Sequence, residues 1–161
     1  AVPAGVEFDF ADGVSVVVAG WGDGDAACFG PVMQHDRIVA VNGISGDTAQ
    51  IVEEMTSSKR WELVVQRPQM FRAEIDRHGA GQLGVTLQYV ANGTTLLACG
   101  VAHGDVREWN EQQPSSDTVI DRLDRIVEVN GVRGMATDLF AETIAQRDKT
   151  RFVVMKYGAP V

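Results

Sequence analysis

Asp36-Arg37-Ile38-Val39-Ala40-Val41-Asn42-Gly43 returns 88 residues later as Asp124-Arg125-Ile126-Val127-Glu128-Val129-Asn130-Gly131, with Ala40 and Glu128 the sole difference. Each copy alternates like a half-buried strand and ends on Asn-Gly, a tight-turn signal. Matched blocks extend outward from it. Upstream, Gly5 to Phe10 aligns with Gly84 to Tyr89, and Asp12 to Val17 with Asn92 to Leu97. Downstream, Leu63-Val64-Val65 answers Phe152-Val153-Val154. Four blocks in one order describe a duplicated unit.

Both units read alike. Val6, Phe8 and Phe10 alternate with Glu7 and Asp9, and Asp12-Gly13 or Asn92-Gly93 then turns the chain into a return strand, Val14 to Ala19 or Thr94 to Ala98. After the Asn-Gly turn comes a helix. Asp47 or Thr48 is the expected cap of the first, carrying Ile51, Val52 and Met55; Thr137 or Asp138 is that of the second, carrying Leu139, Phe140 and Ile144. A final strand follows, Glu62 to Gln66 and Arg151 to Lys156. The second unit adds a lead-in strand, Met70 to Ile75, before Gly79-Ala80-Gly81. It also carries a polar insertion over 105–121, expected to be a small helix and then a mobile loop. The first has only Ala1 to Ala4 in the lead-in position. Pro68 marks the boundary.

Composition narrows the class. With 161 residues, 45% hydrophobic and 22% charged, the chain is of ordinary globular make-up, and no apolar run is long enough for a transmembrane helix. Its net charge of −8 argues against nucleic acid. Ten acidic and four basic residues precede Gln69, so most of the negative charge lies in the first unit. Cys28 and Cys99 read as reduced thiols, with one bridge the alternative. The start at Ala1-Val2-Pro3-Ala4 is no intact signal peptide. It fits a processed form, compatible with an organelle such as a plastid, or an excised fragment.

No catalytic arrangement emerges. His35, His78 and His103 lack a zinc-type spacing, Gly43-Ile44-Ser45-Gly46 is not a nucleophile elbow, and Gly20 to Gly24 holds no phosphate-loop lysine. No metal ligand, cofactor or enzymatic activity is expected.

Leu83-Gly84-Val85-Thr86-Leu87, followed by Asp124 to Gly131, a helix and a last strand, resembles a PDZ domain. Ala4-Gly5-Val6 with Asp36 to Gly43 resembles a second, degenerate copy. The resemblance implies a mostly β (α+β) chain of two partly open β-barrels or sandwiches over residues 1–67 and 69–158, each with one main helix and a short second one. It also implies a protein-interaction module that takes an extended or C-terminal peptide by strand addition. Gln82, Leu83, Gly84 and Val85 would form a turn whose N–H groups face a carboxylate, and Val85, Thr86 and Leu87 the receiving strand. Arg77 resembles the basic residue that supports the carboxylate in this family, or else is an ordinary loop arginine. Two helix registers are open, pairing Ile51 and Met55 with Phe140 and Ile144 or with Leu139 and Thr143. In both, the first groove position is apolar, which implies an apolar residue third from the ligand's end. Ala4, Gly5, Val6, Phe8, Ile51 and Met55 would form a weaker second groove.

The family pattern has Gly before Asp-Arg, where this chain has His35 and Leu123. Two other roles are carried forward: a scaffold subunit of a larger assembly whose grooves take no free tails, and a regulatory segment of a serine protease. The tail, with Val161 last and Ala159 third from last, also matches the apolar ligand pattern, so self-association is a further expectation.

Overall fold

The computed structural model describes residues 5–23, 30–79 and 81–158. Expectations resting on Ala1 to Ala4, Cys28, Ala80 and Ala159 to Val161 lie outside the described residues. Among the described residues the chain is mostly β with three α-helices, in two five-stranded sheets. It divides into two compact units. One runs to Pro68 and takes back Tyr157; the other spans Gln69–Lys156. Tyr157, expected at the end of the second unit, donates its hydroxyl to the His35 carbonyl at 2.6 Å and lies under the Arg37 guanidinium at 4.6 Å.

The first unit contains β1 (Val6–Asp9), β2 (Val16–Trp21), β3 (Arg37–Val41), β4 (Ile44–Ser45), α1 (Thr48–Ser57) and β5 (Leu63–Gln66). Its strands pair antiparallel in the order β1-β2-β3-β4, with β5 also on β3. Val16, Val18, Ile38, Val41, Ile51 and Met55 close its core. At about 1.5–3 kcal/mol per large apolar side chain buried, this face holds α1 against the sheet. Asp47 caps α1 by accepting from the Gln50 N–H at 3.0 Å.

The second unit contains β6 (Gln69–Asp76), β7 (Val85–Gln88), β8 (Leu96–Val101), α2 (Asp105–Glu111), β9 (Arg125–Val129), α3 (Ala136–Ile144) and β10 (Lys149–Lys156). The sheet order is β6-β10-β9-β8-β7. The segment after α2 is anchored rather than a mobile loop. Ile120 is fully buried in the core, and Asn110 clasps its backbone with two 2.8 Å hydrogen bonds, one to the carbonyl and one from the N–H. Of the two apolar side chains in this polar run, Val119 and Ile120, it is Ile120 that packs into the core.

Equivalent positions repeat the same bonds. Thr48 N–H donates to Gly13 O and Ala136 N–H to Gly93 O, so each helix starts against its own hairpin. For α3 this corrects the expected cap at Thr137 or Asp138: the helix begins at Ala136 with no side-chain cap, because the hairpin carbonyl fixes its first turn. Asn42 and Asn130 each reach from the Asn-Gly turn to a helix glutamate, Glu54 or Glu142, at 2.8 and 3.0 Å. His35 and Leu123 have φ of 71° and 75°. The left-handed backbone at this point explains why glycine suits it, and a side chain there costs about 1–2 kcal/mol.

Candidate functional site

Strand β7 is an edge strand, hydrogen-bonded to β8 alone. Val85 and Leu87 turn toward the core while Thr86 and Gln88 are exposed, the period-2 pattern of a strand with one wet face. A register shift falls between Thr86 and Leu87, which increases the local twist. The outer N–H and C=O groups of such an edge can accept another strand.

The turn into β7 is fastened from behind. The carbonyls of Gln82, Leu83 and Gly84 accept from the N–H groups of Asp105, Val106 and Ala102 at 3.0, 3.0 and 2.8 Å. Gly84 has φ +79°, and a Cβ built on it would lie 2.8 Å from Gly104 Cα and 2.9 Å from His103 O. Glycine is therefore required there twice, by conformation and by space. With the carbonyls engaged, the N–H groups of Leu83 and Gly84 donate to no acceptor among the described residues. Free donors beside a helix start attract an anion.

Turn, edge strand and α3 enclose one cleft of about 520 Å³. Gln82, Leu83, Gly84, Val85, Thr86 and Leu87 line one side. Phe140, Thr143 and Ile144 line the other, and Arg77 sits at the turn end. Leu139 is not among them: it is fully buried in the core. Ile51, Met55, Leu139 and Thr143 are all buried, Thr143 also bordering the cleft, while Phe140 and Ile144 are more exposed. Ile144 is 69% exposed at the rim, and Tyr89 extends the aromatic wall with its ring 5.6 Å from that of Phe140. Ala102 and Gly81 also line the cleft; neither carried a sequence signal beyond small size.

Arg77 is no ordinary loop arginine. Its Nε donates to Asp105 Oδ2 at 3.0 Å, and Nη1 donates to the Thr143 carbonyl and to Thr150 Oγ1 at 3.2 and 3.1 Å. It joins α2, α3 and β10 at the end of the cleft. Asp105, 5% exposed, offsets its charge. His78 Nδ1 lies 3.0 Å from the other Asp105 oxygen and 3.5 Å from Glu108 Oε2. The hydrogen bond to Asp105, then the Glu108 charge, raise the His78 pKa above the ordinary imidazole value.

The first unit offers less. Gly5 has φ +86°, matching Gly84, and Val6 and Phe8 are half-buried against the core. Ile51 and Met55, expected in its groove, are 0% and 1% exposed and belong to the core. Ala4 lies outside the described residues.

No family model and no curated protein matches the chain. Among solved structures it is similar to INAD PDZ45 in complex with NG2 peptide, at 15% identity and TM-score 0.47, covering 99% of this chain and 86% of that one. It is also similar to INAD PDZ45 in the complex with NORPA CC-PBM, at 16% identity and TM-score 0.45, covering 99% and 88%. No helix among the described residues is long and apolar enough to cross a membrane.

Proposed function

We propose that the second unit is a PDZ-like protein-interaction module that binds an extended peptide, in the first instance a C-terminal one, by adding it as a strand beside β7. One observation carries the reading: a free strand edge, a turn with uncommitted N–H groups and an apolar helix wall meet in one cleft. The ligand's carboxylate would sit at the Leu83–Gly84 donors and its backbone on Val85 to Leu87. Its apolar side chains would lie between Leu83, Val85 and Phe140. Phe140 offers no polar group to a ligand hydroxyl, which supports an apolar preference third from the end. Arg77, already tied to Asp105, acts mainly by holding the turn against α3.

Screening the full chain against a random C-terminal peptide library tests this. Hits with apolar last and third-from-last residues are expected. Affinity should fall at least about tenfold, some 1.4 kcal/mol, when the exposed rim residue is changed in Ile144→Asp. A library without hits, or hits indifferent to a blocked C-terminus and to Ile144→Asp, would overturn it.

The first unit is better suited to a structural or docking role. Among the described residues β5 pairs only with β3, where β10 pairs with both β9 and β6. Co-purification of the chain in a stable complex through β5, with no library hits, would favour the scaffold reading.

A further inference from the structure

Asp105 and Glu108 stand one helical turn apart on α2, so their carboxylates share a face. His78, 27 residues upstream and just past β6, is brought to that face by the fold. Its Nδ1 lies 3.0 Å from Asp105 Oδ1 and 3.5 Å from Glu108 Oε2, and the three atoms fall within 4.8 Å of one another. Around a tetrahedral zinc with bonds near 2.0–2.1 Å, neighbouring ligand atoms stand about 3.3–3.4 Å apart. The two edges to His78 bracket that value, and the Asp105–Glu108 edge, within 4.8 Å, closes on one ion by rotations of the two side chains. The flexible, 61% exposed Glu108 is free to make the larger one.

The surroundings suit a cation. The three residues border a cavity of about 90 Å³ that Glu74, Asp76 and Gln112 also line, room for water in the remaining position. Lys149 faces Glu74 and Asp76, at 2.8 and 3.6 Å, and offsets part of their charge. Arg77 holds Asp105 by the opposite oxygen, Oδ2, which fixes the carboxylate and leaves Oδ1 toward His78. Such an outer partner is what orients a metal-binding carboxylate.

We propose that His78, Asp105 and Glu108 form a binding site for a divalent transition metal of the zinc class. One nitrogen and two carboxylate oxygens are a borderline donor set that suits zinc better than calcium or magnesium, which favour oxygen alone. The site stands independently of the peptide reading. Spacing along the sequence could not reveal it, because the ligands come from β6's end and from α2. Proton and metal compete for His78 Nδ1, so affinity falls in acid.

The full chain titrated with zinc chloride, by calorimetry and with imidazole resonances followed by NMR, decides the matter. Expected are a single equivalent bound at neutral pH and a shift of the His78 ring signals. His78→Ala and Glu108→Gln should each lose at least about tenfold in affinity, with His103→Ala binding as wild type. No binding, unshifted His78 resonances, or wild-type affinity in His78→Ala would overturn the assignment. The first two readouts use the unaltered chain, so they do not depend on a variant folding.

Discussion

Replacing Gly84 with alanine separates backbone conformation from crowding, because the same unit holds a matched control. Gly84 and Gly131 have φ of +79° and +83°. Alanine at either must adopt the left-handed region, at about 1–2 kcal/mol. At Gly131 nothing lies within 4 Å of the added Cβ, so Gly131→Ala should lose that amount alone. At Gly84 the methyl would meet Gly104 Cα at 2.8 Å and His103 O at 2.9 Å, against ordinary carbon contacts of about 3.5–4.0 Å. Those atoms are backbone, held by the bonds from Ala102 to Gly84 and from Asp105 to Gln82, so relief requires moving α2. Overpacking of this kind adds about 1–3 kcal/mol, giving roughly 2–5 kcal/mol for Gly84→Ala. Urea unfolding followed through the amide signals of Ile126 and Phe152 reads the second unit by itself. Equal losses for the two variants would refute the claim that the turn is packed against the start of α2.

Further outcomes are expected elsewhere. Ile120→Ala should destabilise the second unit by about 2–5 kcal/mol in the same urea assay, since the side chain is fully buried; a loss within about 0.5 kcal/mol would return the insertion to the surface. The His78 pKa is raised in the folded chain, so its stabilisation is complete below the unfolded value and disappears as pH rises through the folded one. An NMR titration should therefore place the His78 midpoint lower in Asp105→Asn than in wild type. Burial raises the Asp124 pKa while the hydrogen bond from Lys156 opposes it. Asp124 thus favours folding below its unfolded pKa and loses that contribution as pH rises through the folded value. Lys156→Met should move its carboxyl titration higher still, read by carbon NMR.

The strand-and-turn skeleton was legible because it depends on local signals: alternation in Asp36 to Val41, the Asp12-Gly13 turn, the Asn-Gly ends. What escaped was set by tertiary contacts. The start of α3 answers to the Gly93 carbonyl rather than to a capping side chain, so it lies ahead of the capping-type residues Thr137 and Asp138. Leu139 and Phe140 are both apolar, and only packing decides which one faces the cleft. Ile120 looked like part of a polar loop because Asn110, the residue that fastens it, lies ten positions away. Most of the cleft was visible since Gln82 to Leu87 is one continuous segment. Arg77 stands out beside the turn, whereas its partner Asp105, 28 residues away, carries no local signal of the pairing. The repeated left-handed residue at His35 and Leu123 was noticed as a departure in composition, and the backbone supplies its meaning.

The three bonds that fasten Gln82, Leu83 and Gly84 to the chain around α2 have a thermodynamic consequence. On the proposed peptide reading, the turn is held before a ligand arrives, so the loss of conformational freedom would fall mainly on the incoming chain. Residues behind the turn, His103 to Val106, would therefore influence affinity without lining the cleft. Changes there would be felt as a gain or loss of rigidity rather than of contacts.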